Sequence, residues 1–127
     1  MSDRILISIV DDDEPFRESM RRLLRSLGYT VDAYSSATDF LASPRLGDTS
    51  CLIADLHMPG MTGLELFGHL GRAGHSIPTI LVTAYPRSAD RVSALNEGVL
   101  CYLPKPVDLP SLTLCLRAAL ASGGAPK

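Results

Sequence analysis

The sequence predicts an α/β domain built on a five-stranded parallel sheet. Three observations carry the prediction. Short runs of aliphatic and β-branched residues recur five times in 127 residues, at 5–10, 29–34, 51–54, 79–82 and 100–103. Stretches of helical period separate them, the alternation that βαβ units produce. The first and fourth runs, rich in Ile5, Leu6, Ile7, Ile9 and Val10 and in Thr79, Ile80, Leu81 and Val82, show little polar alternation, as strands covered on both faces do.

Each element has its own justification. The first strand runs into Asp11-Asp12-Asp13, and Asp13 serves as the N-cap of a first helix with Pro15 in its first turn. Phe16, Met20, Leu23, Leu24 and Leu27 form its inward face, Arg17, Glu18, Arg21, Arg22 and Arg25 the outward one, and Gly28 ends it. The second helix is expected over 36–42, with Phe40 and Leu41 inward, before Pro44. Thr62-x-x-Glu65 is a capping box that opens a third helix burying Leu64, Phe67 and Leu70, although Gly63, Gly68 and Gly71 each weaken it. A fourth helix is expected over 87–96 with Val92 and Leu95 inward, and a fifth over 108–121 with Leu112, Leu116 and Ala119 inward. Residues 1–121 then form one domain, and 122–127 read as a tail or the start of a linker.

Composition narrows the function. Apolar residues make up 46%, enough for a core, and the formal net charge of -2 lacks the basic field of a nucleic-acid binder. No apolar run reaches the roughly 18 residues that span a bilayer, and the start Met1-Ser2-Asp3-Arg4 does not open a signal peptide. Three cysteines, Cys51, Cys101 and Cys115, show no C-x-x-C spacing and read as reduced thiols of a cytoplasmic protein. Of the 12 basic residues only Lys105 and the terminal Lys127 are lysines, and Lys105 stands between Pro104 and Pro106.

Sites in parallel α/β sheets form at the carboxyl ends of the strands. Those ends carry Asp11-Asp12-Asp13, Asp55, Thr83 and Lys105. Crowded carboxylates repel one another unless a proton or cation intervenes, and oxygen-only donors favour a hard divalent ion, of which Mg²⁺ is the common intracellular one. Lys105 offers a point charge to a phosphoryl group, Thr83 a hydroxyl, and an aspartate beside them is a credible nucleophile. Singly, each residue has a plainer role: Asp13 as a cap, Asp55 before the Pro59-Gly60 turn, Thr83 as a cap, Lys105 in a solvated loop. Four strand ends delivering groups suited to one phosphoryl site outweigh those roles taken one by one.

Ile9-Val10-Asp11-Asp12-Asp13, then the segment from Ile53-Ala54-Asp55 through Met58-Pro59-Gly60-Met61-Thr62-Gly63, then Leu81-Val82-Thr83-Ala84, then Tyr102-Leu103-Pro104-Lys105-Pro106, resemble the receiver domain of two-component response regulators (the CheY-like superfamily) in order and spacing. The resemblance implies a doubly wound, three-layer αβα fold of flavodoxin-like strand order 2-1-3-4-5. It implies transfer of a phosphoryl group from a sensor histidine kinase to Asp55, with Mg²⁺ held by Asp12, Asp55 and the backbone carbonyl of His57 and by Asp11 through water. It further implies that Lys105 pairs with the phosphoryl oxygens, that Thr83 moves to hydrogen-bond the phosphate, that Tyr102 is an aromatic switch turning inward with it, and that the Lys105-Pro106 bond is cis. His57 and Tyr85 occupy positions that tune phosphate lifetime in similar proteins. Pro104, Glu97 and the three glycines of the third helix depart from the usual pattern without touching the acids, Thr83 or Lys105.

Such a protein is a signalling switch that catalyses only its own Mg²⁺-dependent phosphorylation and dephosphorylation. Phosphorylation reshapes the face of the fourth helix, fifth strand and fifth helix, through which a homodimer partner or an output domain, by analogy one for transcription, engages. The fifth helix carries only Arg117 as a charge between 109 and 121, and Leu114 and Cys115 cannot both face inward with Leu112 and Leu116, so an exposed apolar strip is expected there. Two other readings stay open. Val10-Asp11-Asp12-Asp13 also fits aspartate-nucleophile phosphatases, with Asp11 as nucleophile and Asp13 as acid. A phosphate-independent binding module would keep the fold alone.

Overall fold

The computed structural model describes the backbone of residues 5–124 and the side chains of residues 5–121. The strands are β1 (Leu6–Val10), β2 (Thr30–Tyr34), β3 (Cys51–Asp55), β4 (Thr79–Thr83) and β5 (Cys101–Pro104). The helices are α1 (Glu14–Ser26), α2 (Ala37–Leu41), α3 (Gly63–Arg72), α4 (Ser88–Glu97) and α5 (Leu109–Gly124). A single 3₁₀ turn at Leu46–Asp48 has no counterpart among the expected elements.

All pairings are parallel and the strand order is β2-β1-β3-β4-β5, as the resemblance implies. Helices cover both faces. Phe40 of α2, Leu66 and Leu70 of α3 and Ala94 of α4 pack with Val10, Leu52, Ala54 and Leu81 on one side. Met20 and Leu24 of α1 and Leu112, Cys115 and Leu116 of α5 pack with Ile7, Ile9, Ile53, Ile80 and Val82 on the other. Strand residues thus alternate between two buried layers, and for that reason β1, β3 and β4 are buried along their whole length and largely apolar. The register pairs Val10 with Ala54, Asp55 with Val82 and Thr83 with Pro104, so the strands end level at one edge.

The caps that fix that edge are visible in the sequence. The Asp13 side chain accepts the Phe16 N–H at 3.2 Å, and Pro15 sits in the first turn of α1, where its missing N–H is no loss. Thr62 and Glu65 complete the reciprocal box, with bonds of 3.1 and 2.9 Å. Gly63 is required by close approach: a Cβ there would lie 2.5 Å from the Asp55 carbonyl oxygen. The start of α3 is thereby pressed against the end of β3.

Several expectations of inward faces need correction. Leu27 is the C-cap of α1 and is exposed, because the helix stops at Ser26, one residue before its stripe runs out. In α3 the buried side chains are those of Leu66 and Leu70, with Leu64 and Phe67 half-buried on the flanks. The largest departure is α4. Val92 is 55% and Leu95 37% exposed, and Ala94 is its one buried residue. The helix touches the sheet along a line only one small side chain wide. It ends at Gly98, whose φ of 109° suits a left-handed C-cap.

In α5, Leu112, Leu116 and Ala119 are buried as expected. Cys115 joins them and Leu114 turns outward, 66% exposed. The helix runs to Gly124, so the first residues of the expected tail at 122–127 are helical. The rest of that tail, 125–127, and the start at 1–4 lie outside the described residues. Among the described residues no helix is long and apolar enough to cross a membrane.

Candidate acidic site at the strand ends

Asp11 leaves β1 fully buried, its N–H donating to the Tyr34 carbonyl at 3.1 Å. Its Oδ1 accepts the Asp13 N–H at 2.9 Å, and Arg17 of α1 reaches back to donate to its carbonyl oxygen at 2.7 Å. Asp55 ends β3, is also buried, and accepts the His57 N–H on Oδ1 at 3.2 Å. Asp12 is exposed, yet a carboxylate oxygen from each of Asp11, Asp12 and Asp55 lies within 4.8 Å of the others.

Lys105 completes the cluster from the loop after β5. Its Nζ lies 2.9 Å from Asp11 Oδ2, 3.5 Å from Asp55 Oδ2 and 3.7 Å from Asp13 Oδ2, with only 10% of the side chain exposed. The Phe16 ring covers the ammonium with its centroid at 4.3 Å. The Lys105 N–H donates to the Thr83 carbonyl at 2.8 Å, and the Lys105-Pro106 bond is cis.

The electrostatics are unbalanced. Burial first, then the Asp11 charge, push Asp55 up to about 6, against the opposing pull of Lys105 and the His57 N–H. Burial works to lower the Lys105 ammonium, but Asp11, Asp55 and Asp13 together hold it above its ordinary value. Asp11 Oδ2 is buried without a well-formed hydrogen bond: Lys105 lies close, but outside hydrogen-bonding geometry. One ammonium therefore faces more carboxylates than it neutralises. An oxygen-only donor set with an orphaned buried oxygen fits a hard divalent cation of the Mg²⁺ kind.

Thr83 is fully buried, and its Oγ1 accepts the Tyr85 N–H at 3.0 Å, so its hydroxyl is engaged within the β4–α4 loop. Tyr102 is buried, and its hydroxyl accepts the Arg87 N–H at 3.2 Å. Thr83 and Tyr102 thus hold the same loop from two sides. His57 and Tyr85 flank the site with rings in edge contact at 6.2 Å between centroids.

The structure brings Asp11, Asp12, Asp55 and Lys105 together and ties Thr83 and Tyr102 to the β4–α4 loop. Sequence reading assigned Phe16 only to the core and Arg17 only to the outer face. Their contacts with Lys105 and with the Asp11 carbonyl join residues far apart in sequence or depend on a long side chain bending back, and neither shows in periodicity.

The sequence profile of the response regulator receiver domain matches residues 7–117. The response regulator protein TodT of Pseudomonas putida is 36% identical over 121 residues, covering 94% of this chain and 53% of TodT. The transcriptional regulatory protein FixJ of Azorhizobium caulinodans is 33% identical over 120 residues, covering 94% and 57%. The crystal structure of FixJ-N superposes with a TM-score of 0.82 at 33% identity, covering 94% of this chain and 95% of that one. The chain spans about half the length of these curated relatives. With its sheet order, its acid pocket and these similarities, the chain belongs to the response regulator receiver domain family of two-component systems.

Proposed function

We propose that this domain accepts a phosphoryl group from a sensor histidine kinase on Asp55 and passes the change to its α4–β5–α5 face. The observation that carries the reading is the single pocket in which Lys105 Nζ lies 2.9 Å from Asp11 and 3.5 Å from Asp55. A divalent cation held by Asp11, Asp12 and Asp55, with the His57 carbonyl as a further donor, would neutralise the acids and orient phosphoryl oxygens. Asp55 attacks phosphorus through a carboxylate oxygen: an O–P bond forms, and the P–N bond of the donor phosphohistidine breaks. Lys105, already charged and shielded by Phe16, pairs with the new phosphoryl oxygens.

Phosphorylation adds negative charge and acceptor oxygens at Asp55. Thr83 then exchanges its bond to the Tyr85 N–H for one to the phosphate. The β4–α4 loop moves with it, and Tyr102, bonded to the Arg87 N–H of the same loop, transmits the shift to β5. The exposed Val92, Leu95 and Leu114 on α4 and α5 supply the apolar surface for a second copy or for an output domain controlling transcription. In this reading residues 1–121 are the receiver unit, residues 122–127 are a tail or the start of a linker, and the protein works in the cytoplasm.

Acetyl phosphate with Mg²⁺ tests the proposal. Intact mass should rise by one phosphoryl group, and Asp55→Asn should abolish the gain. Retention of the gain in Asp55→Asn, with loss in Asp11→Asn, would favour the phosphatase chemistry. No gain, together with no spectral response to beryllofluoride and Mg²⁺, would leave a phosphate-independent binding module.

A further inference from the structure

The bond from the Lys105 N–H to the Thr83 carbonyl fixes the lysine's backbone, but a flexible four-carbon stem still separates that backbone from the ammonium. Asp11, Asp55 and Asp13 attract Nζ from 2.9, 3.5 and 3.7 Å. Coulomb attraction has no preferred direction, so these acids draw the cation in without fixing one position for it. The fourth neighbour is of another kind. The face of the Phe16 ring lies over Nζ, with its centroid at 4.3 Å. Phe16 is itself held on two sides. Its N–H donates at 3.2 Å to Oδ1 of Asp13, whose Oδ2 faces Lys105, and its half-buried ring packs against the core layer that contains Met20 and Leu112. Any aliphatic residue would satisfy the inward stripe of α1 at this position. The ammonium over the ring is the one contact that calls for an aromatic side chain.

We propose that Phe16 is a positioning residue for phosphoryl transfer: its ring holds the Lys105 ammonium beside Asp11 and Asp55 and keeps it from swinging into solvent. The negative face of the ring attracts the cation without presenting an oxygen to it. The ammonium is thereby held in place while its N–H donors stay available for phosphoryl oxygens. A further carboxylate at this position would hold the cation too, but it would compete with the phosphoryl group for the same donors. Phe16 touches no reacting atom in this scheme and acts only through Lys105. The role in transfer rests on the proposed function; the contact between ring and ammonium does not.

Two measurements on the full chain test the proposal. The first is the rate of phosphorylation by acetyl phosphate and Mg²⁺ in Phe16→Leu and in proteins carrying progressively fluorinated phenylalanines at position 16 alone. Leucine keeps the apolar packing, whereas fluorination keeps the size of the ring and drains the negative charge from its face. The rate at saturating acetyl phosphate should fall about three- to tenfold with leucine, and stepwise to a similar level as fluorine is added. A rate that ignores fluorination would show that the ring acts by packing alone, and would overturn the proposal even if the leucine variant folds poorly. The second measurement needs no phosphate. Lys105 and Lys127 are the only lysines, so lysine labelled with ¹³C at the ε carbon gives two signals. In the wild type the Lys105 ε-protons should lie upfield of those of Lys127 under the ring current, and should move back toward them in Phe16→Leu. Coincident signals in the wild type would overturn the contact and the proposal with it. A shifted Lys105 signal in a wild type that takes up no phosphate would overturn the role in transfer together with the proposed function, and would leave the contact as an independent result.

Discussion

Helices α1 and α4 flank the same row of strand ends, but they are held in different ways. α1 is anchored at its start by the Asp13 cap, by Pro15 and by the Arg17 bond to the Asp11 carbonyl, and along its length by buried Met20 and Leu24. α4 begins at Arg87 with no side-chain cap, ends on Gly98 and buries only Ala94. The anchored helix adjoins the acids and carries Phe16 over Lys105, positions that must not drift if, as proposed, Asp55 is to meet a phosphoryl donor. The lightly held helix follows the loop tied to Thr83 and Tyr102. Local stability is low where few apolar groups are buried, and moving elements come from that end of the range. The contrast teaches that the proposed function would divide chemistry and response between a firmly held helix and a lightly held one.

The most severe way to break the comparison is to truncate each helix. Leu24→Ala removes a fully buried side chain and should cost about 2–5 kcal/mol in urea unfolding. Val92→Ala, at a position 55% exposed on α4, should stay within about 0.5 kcal/mol. Similar costs at both positions would show that α4 is as firmly packed as α1.

The acid pocket gives the next largest effect. Asp55 titrates at about 6 in the fold and near 3.8 as a free side chain, so the folded state holds its proton more tightly and ionisation opposes folding. Without divalent cation, Asp55→Asn should therefore stabilise the protein at pH 7 by about 1–2 kcal/mol. The gain is complete above pH 6 and fades as pH falls toward 3.8, where the carboxyl is protonated in both states. Mg²⁺ should raise the midpoint of the wild type and leave the variant unmoved. Denaturant titrations across this pH range, with and without Mg²⁺, measure both.

Caps sharpen the contrast at smaller scale. Asp13→Ala should cost about 1 kcal/mol, the usual loss on removing an N-cap acceptor. Arg87→Ser supplies α4 with the acceptor it lacks, and should add about 0.5–1 kcal/mol to the local stability of the helix. Slower amide exchange confined to residues 88–97 would mark that effect, and an unchanged rate would mean that the missing cap does not set the mobility of α4.

The sheet and the acid pocket were legible in the sequence because each depends on short-range signals. Largely apolar runs marked β1, β3 and β4; Asp11, Asp12, Asp55 and Lys105 stood at or just after the strand ends; and the caps at Asp13 and Thr62 stood at the helix starts. The inward face of α4 was not legible. Val92 and Leu95 have core-like spacing, but the angle at which α4 meets the sheet turns them outward and admits only Ala94. The choice between Leu114 and Cys115 on α5, and the Phe16 cover over Lys105, likewise depend on how distant elements are packed. The face expected to engage partners is consequently more apolar than the sequence suggested.

The central claim is that Asp55 is the phosphoacceptor. It is tested most directly by exposing the protein to acetyl phosphate and Mg²⁺, trapping the acyl phosphate with borohydride and locating the reduced residue by peptide mass spectrometry. The account predicts the label on Asp55 alone. A label on Asp11, or none on any aspartate of the pocket, would contradict it.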